Sequence, residues 1–209
     1  MTVMVVVCLT GCKSPGYKKA DAAALNSQAA VASVQAESTE LHATIEALND
    51  LVNQPAEDIK PQFLTFDHAL TRLASSTRHA ETEVNRVWSQ WDAYFDLWEK
   101  EILTIQDPAM QNLSDDRKTE VSNQYIAAKR RYAETGNIVQ PLIVYLQDIR
   151  KTLSTDLTRD GLMTIKPSVS TANQRAQQVE TALVQSVAEL DALSARTASY
   201  RVQGAPATK

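Results

Sequence analysis

Apolar residues recur along this chain at intervals of three and four positions, the spacing of one face of an α-helix. From about Lys19 to Asn53 this spacing forms a seven-residue repeat, which predicts a coiled-coil-like stripe on a first helix. The stripe consists of Val31, Val34, Ser38, Leu41, Ile45, Leu48 and Val52. Apolar and polar residues do not alternate over any useful length, so the pattern predicts no β-strands.

Prolines divide the remaining chain into further helical segments, because proline lacks an amide hydrogen and crowds the preceding helical turn. The second predicted helix runs from about Gln62 to Gln106, and Asp107–Pro108 forces a turn after it. The third begins with Ser114 as its N-cap and stops at Asp160–Gly161, where glycine is a natural residue to follow a helix. The fourth starts near Pro167.

Pro141 lies inside the third segment, but the apolar spacing continues on both of its sides. We therefore predict one continuous third helix that is kinked near Pro141 and locally dynamic over residues 136–141. Four long helices with short connections predict an all-α fold, an elongated antiparallel bundle over residues 20–202. Residues 203–209 are predicted to be a disordered polar tail.

The composition removes several classes of function. The net charge is −4, from 21 basic and 25 acidic residues, so the chain has no general basic field that would hold nucleic acid. With only five glycines it has no glycine-rich phosphate loop. We expect neither a nucleic-acid partner nor a cofactor.

The first residues resemble a bacterial lipoprotein signal. Val3–Leu9 is an apolar run that is too short to span a bilayer, and Leu9-Thr10-Gly11-Cys12 follows the lipobox pattern of an aliphatic residue, two small residues and cysteine. The resemblance implies a signal peptide over residues 1–11, a lipid on the Cys12 thiol and a tether over residues 12–19. The start lacks the positive charge that signal peptides normally carry. Lys13, at the position where aspartate retains lipoproteins in the inner membrane, implies the outer membrane.

The sequence does not contain the combinations of residues that carry out catalysis or bind metals in helical bundles. The three histidines are His42, His68 and His79, and none has a glutamate three positions before it, as di-iron bundle sites require. We predict no metal site and no enzymatic activity, with the histidines on solvated helix faces.

Aromatic residues concentrate in the second predicted helix, where Trp88, Trp91, Phe95 and Trp98 share a face. Two interpretations stay open. The rings could form a site for an apolar ligand or a partner surface, or they could fill the thickest part of the bundle core.

Several segments resemble an uncharacterised bacterial family, the domain of unknown function 2959. They are Phe95–Ile102, Lys129–Tyr132, Val139–Leu142 and Leu146–Asp148. Gly136–Asn137 departs from the more helix-compatible residues of that family. The resemblance implies an exported, helical, coiled-coil-rich protein, and it transfers no active-site residue.

These observations favour a lipid-anchored envelope protein that serves as a non-catalytic scaffold or spacer, with an envelope protein or a second copy as its partner. The alternative is a periplasmic bundle that binds an apolar ligand or a partner near Trp91 and Trp98.

Overall fold

The computed structural model describes residues 16–199, which form four α-helices. The helices are α1 (Gly16–Asn53), α2 (Lys60–Ile102), α3 (Pro108–Thr155) and α4 (Arg159–Thr197). This confirms the predicted all-α class, and residues 16–199 contain no strand. The expected signal peptide, most of the tether and the C-terminal tail lie outside the described residues.

Each helix runs antiparallel to both of its neighbours. On α1 and α2, Ser27 contacts Trp91 and Glu37 contacts Thr77, so one helix rises as the other descends. The same reversed order holds for the other three adjacent pairs of helices. For α2 and α3 the contacts are Trp98–Ser114 and Asp67–Arg150, and for α3 and α4 they are Thr135–Ser186 and Tyr145–Ser168. For α1 and α4 they are Ser38–Glu180 and Asn49–Asn173. The helices therefore form an up-down-up-down bundle in which α4 closes the ring against α1, as the short connections predict.

Five of the seven residues predicted for the apolar stripe of α1 are buried, and they are Val31, Val34, Leu41, Leu48 and Val52. The central line of buried residues on α1 repeats at alternating intervals of three and four, and it consists of Ala23, Ser27, Ala30, Val34, Glu37, Leu41, Thr44, Leu48 and Leu51. Ala20, Ala24, Val31, Ser33 and Val52 are buried beside this line. Ser38 and Ile45, which the prediction placed on the stripe, lie at its edge and are only partly buried. The centre of the stripe thus passes through Glu37, a residue whose charge would by itself assign it to a solvated face.

The third helix begins earlier than predicted. Asp107 is its N-cap and accepts a hydrogen bond from the Met110 amide at 2.9 Å, while Pro108 occupies the first helical turn. Proline fits there because the first amides of a helix have no intrahelical partner. Ser114 is therefore not the N-cap, and its hydroxyl instead accepts a hydrogen bond from Trp98 Nε1 at 3.0 Å.

The fourth helix also begins earlier, at Arg159 rather than near Pro167. Thr158 is its N-cap, and the Thr158 hydroxyl accepts a hydrogen bond from the Gly161 amide at 3.1 Å. Gly161 thus belongs to the first turn of α4 and does not follow the end of α3. Leu162 and Ile165 are buried, so core packing holds the helix together ahead of the proline.

The third helix is continuous through Gly136 and Pro141, as predicted. Val139 and Leu142 are buried on either side of the proline, so the core contacts do not stop there. The kink and the local mobility stay predictions.

The first helix starts at Gly16, so residues 16–19 form its first turn and are not an extended tether.

The start of α1, the end of α2, the start of α3 and the end of α4 meet at one end of the bundle, which we call the proximal end. There the Ser199 amide donates to Asp21 at 2.7 Å, and Gln111 donates to the Ile102 carbonyl at 3.3 Å. The loops 54–59 and 156–158 lie at the other end, the distal end, where Arg159 donates to the Ala56 carbonyl. The Cys12 position therefore precedes the proximal end by four residues.

Candidate functional site

The aromatic residues of α2 lie in and around the core. Trp91 has no exposed surface, and its Nε1 donates to the Ser27 hydroxyl at 3.2 Å. Trp88 is also buried and meets Tyr125 of α3 edge to face, with ring centroids 5.7 Å apart. Both indoles are thus packed mainly by the protein itself.

Phe95 and Trp98 extend this aromatic packing toward the proximal end and are partly buried. The Phe95 ring lies 5.3 Å from that of Tyr125, and the Trp98 ring lies 5.4 Å from that of Tyr94. The structure therefore brings the four predicted residues into one aromatic cluster. Trp88 alone among them lines a cavity between α2 and α3.

A cavity of 420 Å³ opens to solvent between α2 and α3, at mid-height in the bundle. Its floor includes Glu37 of α1 and Thr77 of α2, and its walls include Trp88, Tyr132 and Val139. Exposed polar residues surround its mouth, and they are Glu81, Asn85, Lys129, Asn137 and Gln140. Residue size accounts for the opening, because Ala133 and Gly136 of α3 present little or no side chain there.

Glu37 is the notable group of this cavity. Only 2% of its surface is exposed, and its Oε1 accepts a hydrogen bond from the Thr77 hydroxyl at 2.8 Å. Burial raises the pKa of the Glu37 carboxyl, the Thr77 hydrogen bond opposes this rise, and the nearby Glu81 carboxylate adds to it. The site therefore holds a buried acid beside a second acid.

The carboxylates of Glu37 and Glu81 also affect the pKa of Tyr132. The ring is partly buried, and burial raises the pKa of the Tyr132 hydroxyl, with further contributions from the negative charges of Glu37 and Glu81. The phenol consequently stays neutral. It presents an aromatic surface to a cavity whose electrostatic character is negative.

Lys129 stands at the edge of the cavity but is already engaged. Its Nζ donates to the Tyr125 hydroxyl at 2.9 Å and lies 3.6 Å from Asp92 Oδ2. The Tyr125 hydroxyl in turn donates to Asp92 Oδ1 at 2.6 Å, and burial together with Asp92 raises the pKa of Tyr125. The Lys129 charge is therefore offset by Asp92 and does not neutralise Glu37.

The histidines lie on α1 and α2. His42 Nε2 lies 3.3 Å from Glu180 Oε2, and all three histidines are exposed. Within residues 16–199, no group of three or more His, Cys, Asp or Glu side chains is arranged to hold a metal ion. In the same part of the chain, no helix combines the length and the apolar character that crossing a bilayer requires.

The sequence prediction missed Glu37 and the cavity, although one signal was present. Val34, Glu37 and Leu41 are spaced by three and four, which places the carboxylate in line with two core residues. The lipid acceptor Cys12 lies outside the described residues, so its role stays a prediction.

A family model described as "Protein of unknown function (DUF2959)" matches residues 10–196. No curated protein and no solved structure matches the chain. The matched region includes all four segments on which the resemblance was based, together with nearly the whole helical bundle. The chain belongs to this uncharacterised family of proteins, DUF2959.

Proposed function

We propose that this protein is a lipid-anchored scaffold or spacer of the bacterial envelope that performs no catalysis. In this proposal Cys12 carries the lipid, the proximal end rests against the bilayer, and the bundle projects away from it. An envelope protein or a second copy of the chain would bind its exposed helix faces.

One observation carries the proposal: large apolar side chains are exposed at the proximal end. Tyr17, Leu103, Met110 and Leu113 are 57%, 69%, 59% and 63% exposed, and all lie within two turns of that end. Exposed apolar groups are favourable where they enter the interface of a bilayer, as they are on amphipathic anchors. A lipid on Cys12 would hold this end at the membrane, because only three residues lie between Cys12 and Gly16.

The shape of the bundle supports a role as a spacer. Its helices contain 38, 43, 48 and 39 residues, which corresponds to lengths of about 57–72 Å. All four run side by side, so the distal loops would stand at about that distance from the bilayer surface if the bundle is upright. Lys13 favours the periplasmic face of the outer membrane as the location.

The test is the fate of Cys12 in its bacterial host. Cys12→Ser should abolish the lipid and the cleavage before residue 12, and should move the protein out of the lipid-modified membrane fraction. Cys8→Ser is the matched control, because Cys8 lies in the segment that cleavage would remove, so lipidation should persist. Intact mass and membrane fractionation measure both effects. Identical mass and fractionation of wild type and Cys12→Ser would refute the anchor.

Crosslinking in intact cells tests the scaffold role. We expect crosslinked adducts of discrete mass with an envelope protein or with a second copy, and their loss when Cys12→Ser releases the bundle from the membrane. Adducts that are unchanged in amount and identity after release would contradict a scaffold that works at the membrane.

A further inference from the structure

We propose that the cavity between α2 and α3 binds a small molecule carrying a protonated amine, with Glu37 as the counter-ion. This inference does not depend on the lipid anchor, because the cavity lies at mid-height in the bundle.

The cavity has the size of a ligand site. Its 420 Å³ falls within the range of about 300–1,000 Å³ that is usual for small-molecule pockets. The cavity is also open next to the α3 backbone, since a Cβ added at Gly136 would have no neighbour within 4 Å. A molecule with a short apolar body would therefore fit without moving a helix.

The charge at the floor selects a cation. One Glu37 oxygen accepts the Thr77 hydrogen bond, and no basic side chain among the residues that the structure describes forms an ion pair with the carboxyl. A buried carboxylate without a cationic partner is costly, and a positively charged ligand would supply that partner. Glu81 at the mouth adds a second negative charge, while Asp92 offsets the charge of Lys129.

The walls select an organic cation rather than a metal ion. Trp88 and Tyr132 present aromatic surfaces, which attract ammonium groups, and Val139 and Ala133 provide apolar contact for a hydrocarbon body. Calcium and magnesium require several oxygen ligands around one point. Two carboxylates on different helices do not provide that arrangement, and no cluster of three acidic or histidine ligands occurs within residues 16–199.

Binding should be coupled to a proton. The groups that face Glu37 are Thr77 and Glu81 on α2 and Tyr132 and Lys129 on α3, and α4 contributes no residue to the described lining. Burial raises the pKa of Glu37, and a bound ammonium ion would favour the ionised carboxylate and lower that pKa. Affinity should therefore rise as the pH rises through the pKa of Glu37, and binding should release a proton at pH values near or below that pKa.

Titration calorimetry on the purified full-length chain tests the proposal with three probes of similar shape. They are 2-phenylethylamine, the neutral 2-phenylethanol and the anionic 3-phenylpropanoate. We expect the amine to bind about tenfold or more tightly than the alcohol, the ratio that a charge-assisted hydrogen bond provides, and the carboxylate to bind weakest. Repeating the titration in buffers of different ionisation enthalpy measures the released proton.

Variants then identify the counter-ion. Glu37→Gln keeps an acceptor for Thr77 but removes the charge, and should reduce amine affinity to that of the alcohol. Glu81→Gln, at an exposed position that does not threaten folding, should weaken it by a smaller factor. Glu46→Gln is the matched control, because Glu46 is exposed on the same helix and lies outside the lining, and it should bind like wild type.

Three results would overturn the proposal. They are equal affinity for the amine and the alcohol, absence of amine binding at millimolar concentration, and unchanged amine binding by a folded Glu37→Gln variant. Circular dichroism confirms that each variant retains its helices.

Discussion

Glu37 occupies a position that heptad geometry reserves for core residues. Its neighbours along the stripe, Val34 and Leu41, are almost completely buried. The bundle tolerates the carboxyl because Thr77 donates to it and because the cavity gives it a route to solvent. A glutamate in a sequence normally indicates a solvated face, which is why the stripe was predicted to pass through Ser38 instead.

Replacing Glu37 with glutamine should stabilise the protein more at neutral pH than at acid pH. Burial raises the pKa of Glu37 in the folded state, so the folded protein holds this proton more tightly than the unfolded chain does. The free energy of unfolding therefore falls as the pH rises from about 4.3, the ordinary glutamate pKa, through the raised pKa, and the loss is complete above it. The Glu37→Gln variant has no carboxyl at this position, so its free energy of unfolding should not show this fall with rising pH.

Thermal melting of both proteins at about pH 4 and about pH 7 measures the effect. The melting temperature of Glu37→Gln minus that of wild type should be larger at the higher pH. Glu46→Gln, which removes an exposed charge from the same helix, should show no such change. A difference for Glu37→Gln that is the same at both pH values would mean that Glu37 titrates normally.

Two glycines should respond to alanine in opposite directions. Gly136 lies inside α3 with no atom within 4 Å of an added Cβ, so Gly136→Ala should stabilise the helix by about 1 kcal/mol. A Cβ at Gly161 would overlap the backbone carbonyl oxygen of Asp156, so Gly161→Ala should destabilise by about 1–3 kcal/mol. Urea denaturation measures both changes, and a common sign would contradict this account.

Prolines explain most of the differences between predicted and observed helices. Pro108 lies at the start of α3, whereas Pro141 lies inside α3 and Pro167 lies inside α4. Proline by itself indicates the end of a helix or a kink, whereas the outcome depends on the core contacts around it. Leu162 and Ile165 before Pro167, and Val139 and Leu142 around Pro141, bury enough apolar surface to maintain a helix through the proline. The count and order of helices were therefore predictable, and their boundaries were not.

The third helix should be weakest at the turn before Pro141. The Asn137 carbonyl has no amide partner at position 141, and Gly136 lowers helix propensity in the same turn. Amides 136–140 should exchange with deuterium faster than those at 125–132 and 146–153. Pro141→Ala restores the missing donor at an exposed position, and should slow this exchange and stabilise the protein by up to about 3 kcal/mol. Equal, strong protection of all three stretches in wild type would show that the turn is not weakened.

For the molecule as a whole, connection length determined how much the sequence revealed. Loops of a few residues leave each helix little choice but to pack antiparallel against its predecessor, so the bundle was predictable. The cavity was not predictable, because it depends on which small residues of α3 face Glu37 of α1 and Thr77 of α2. That register arises from packing the complete bundle, and no local pattern encodes it.

The proximal end provides a test of how the whole molecule meets a membrane. Leu103 and Leu113 are more than 60% exposed there, so the chain lacking its lipid should still bind vesicles weakly through them. In the Cys12→Ser chain, replacing both leucines with glutamine should lower vesicle binding about tenfold or more, because a buried leucine contributes about 1.5–3 kcal/mol. Leu64→Gln with Met163→Gln, which changes exposed apolar residues at the distal end, is the matched control and should bind like its parent. Vesicle co-sedimentation measures all three proteins. An equal loss from both pairs would mean that the bundle has no preferred end, and the upright orientation in the proposed function would then be wrong.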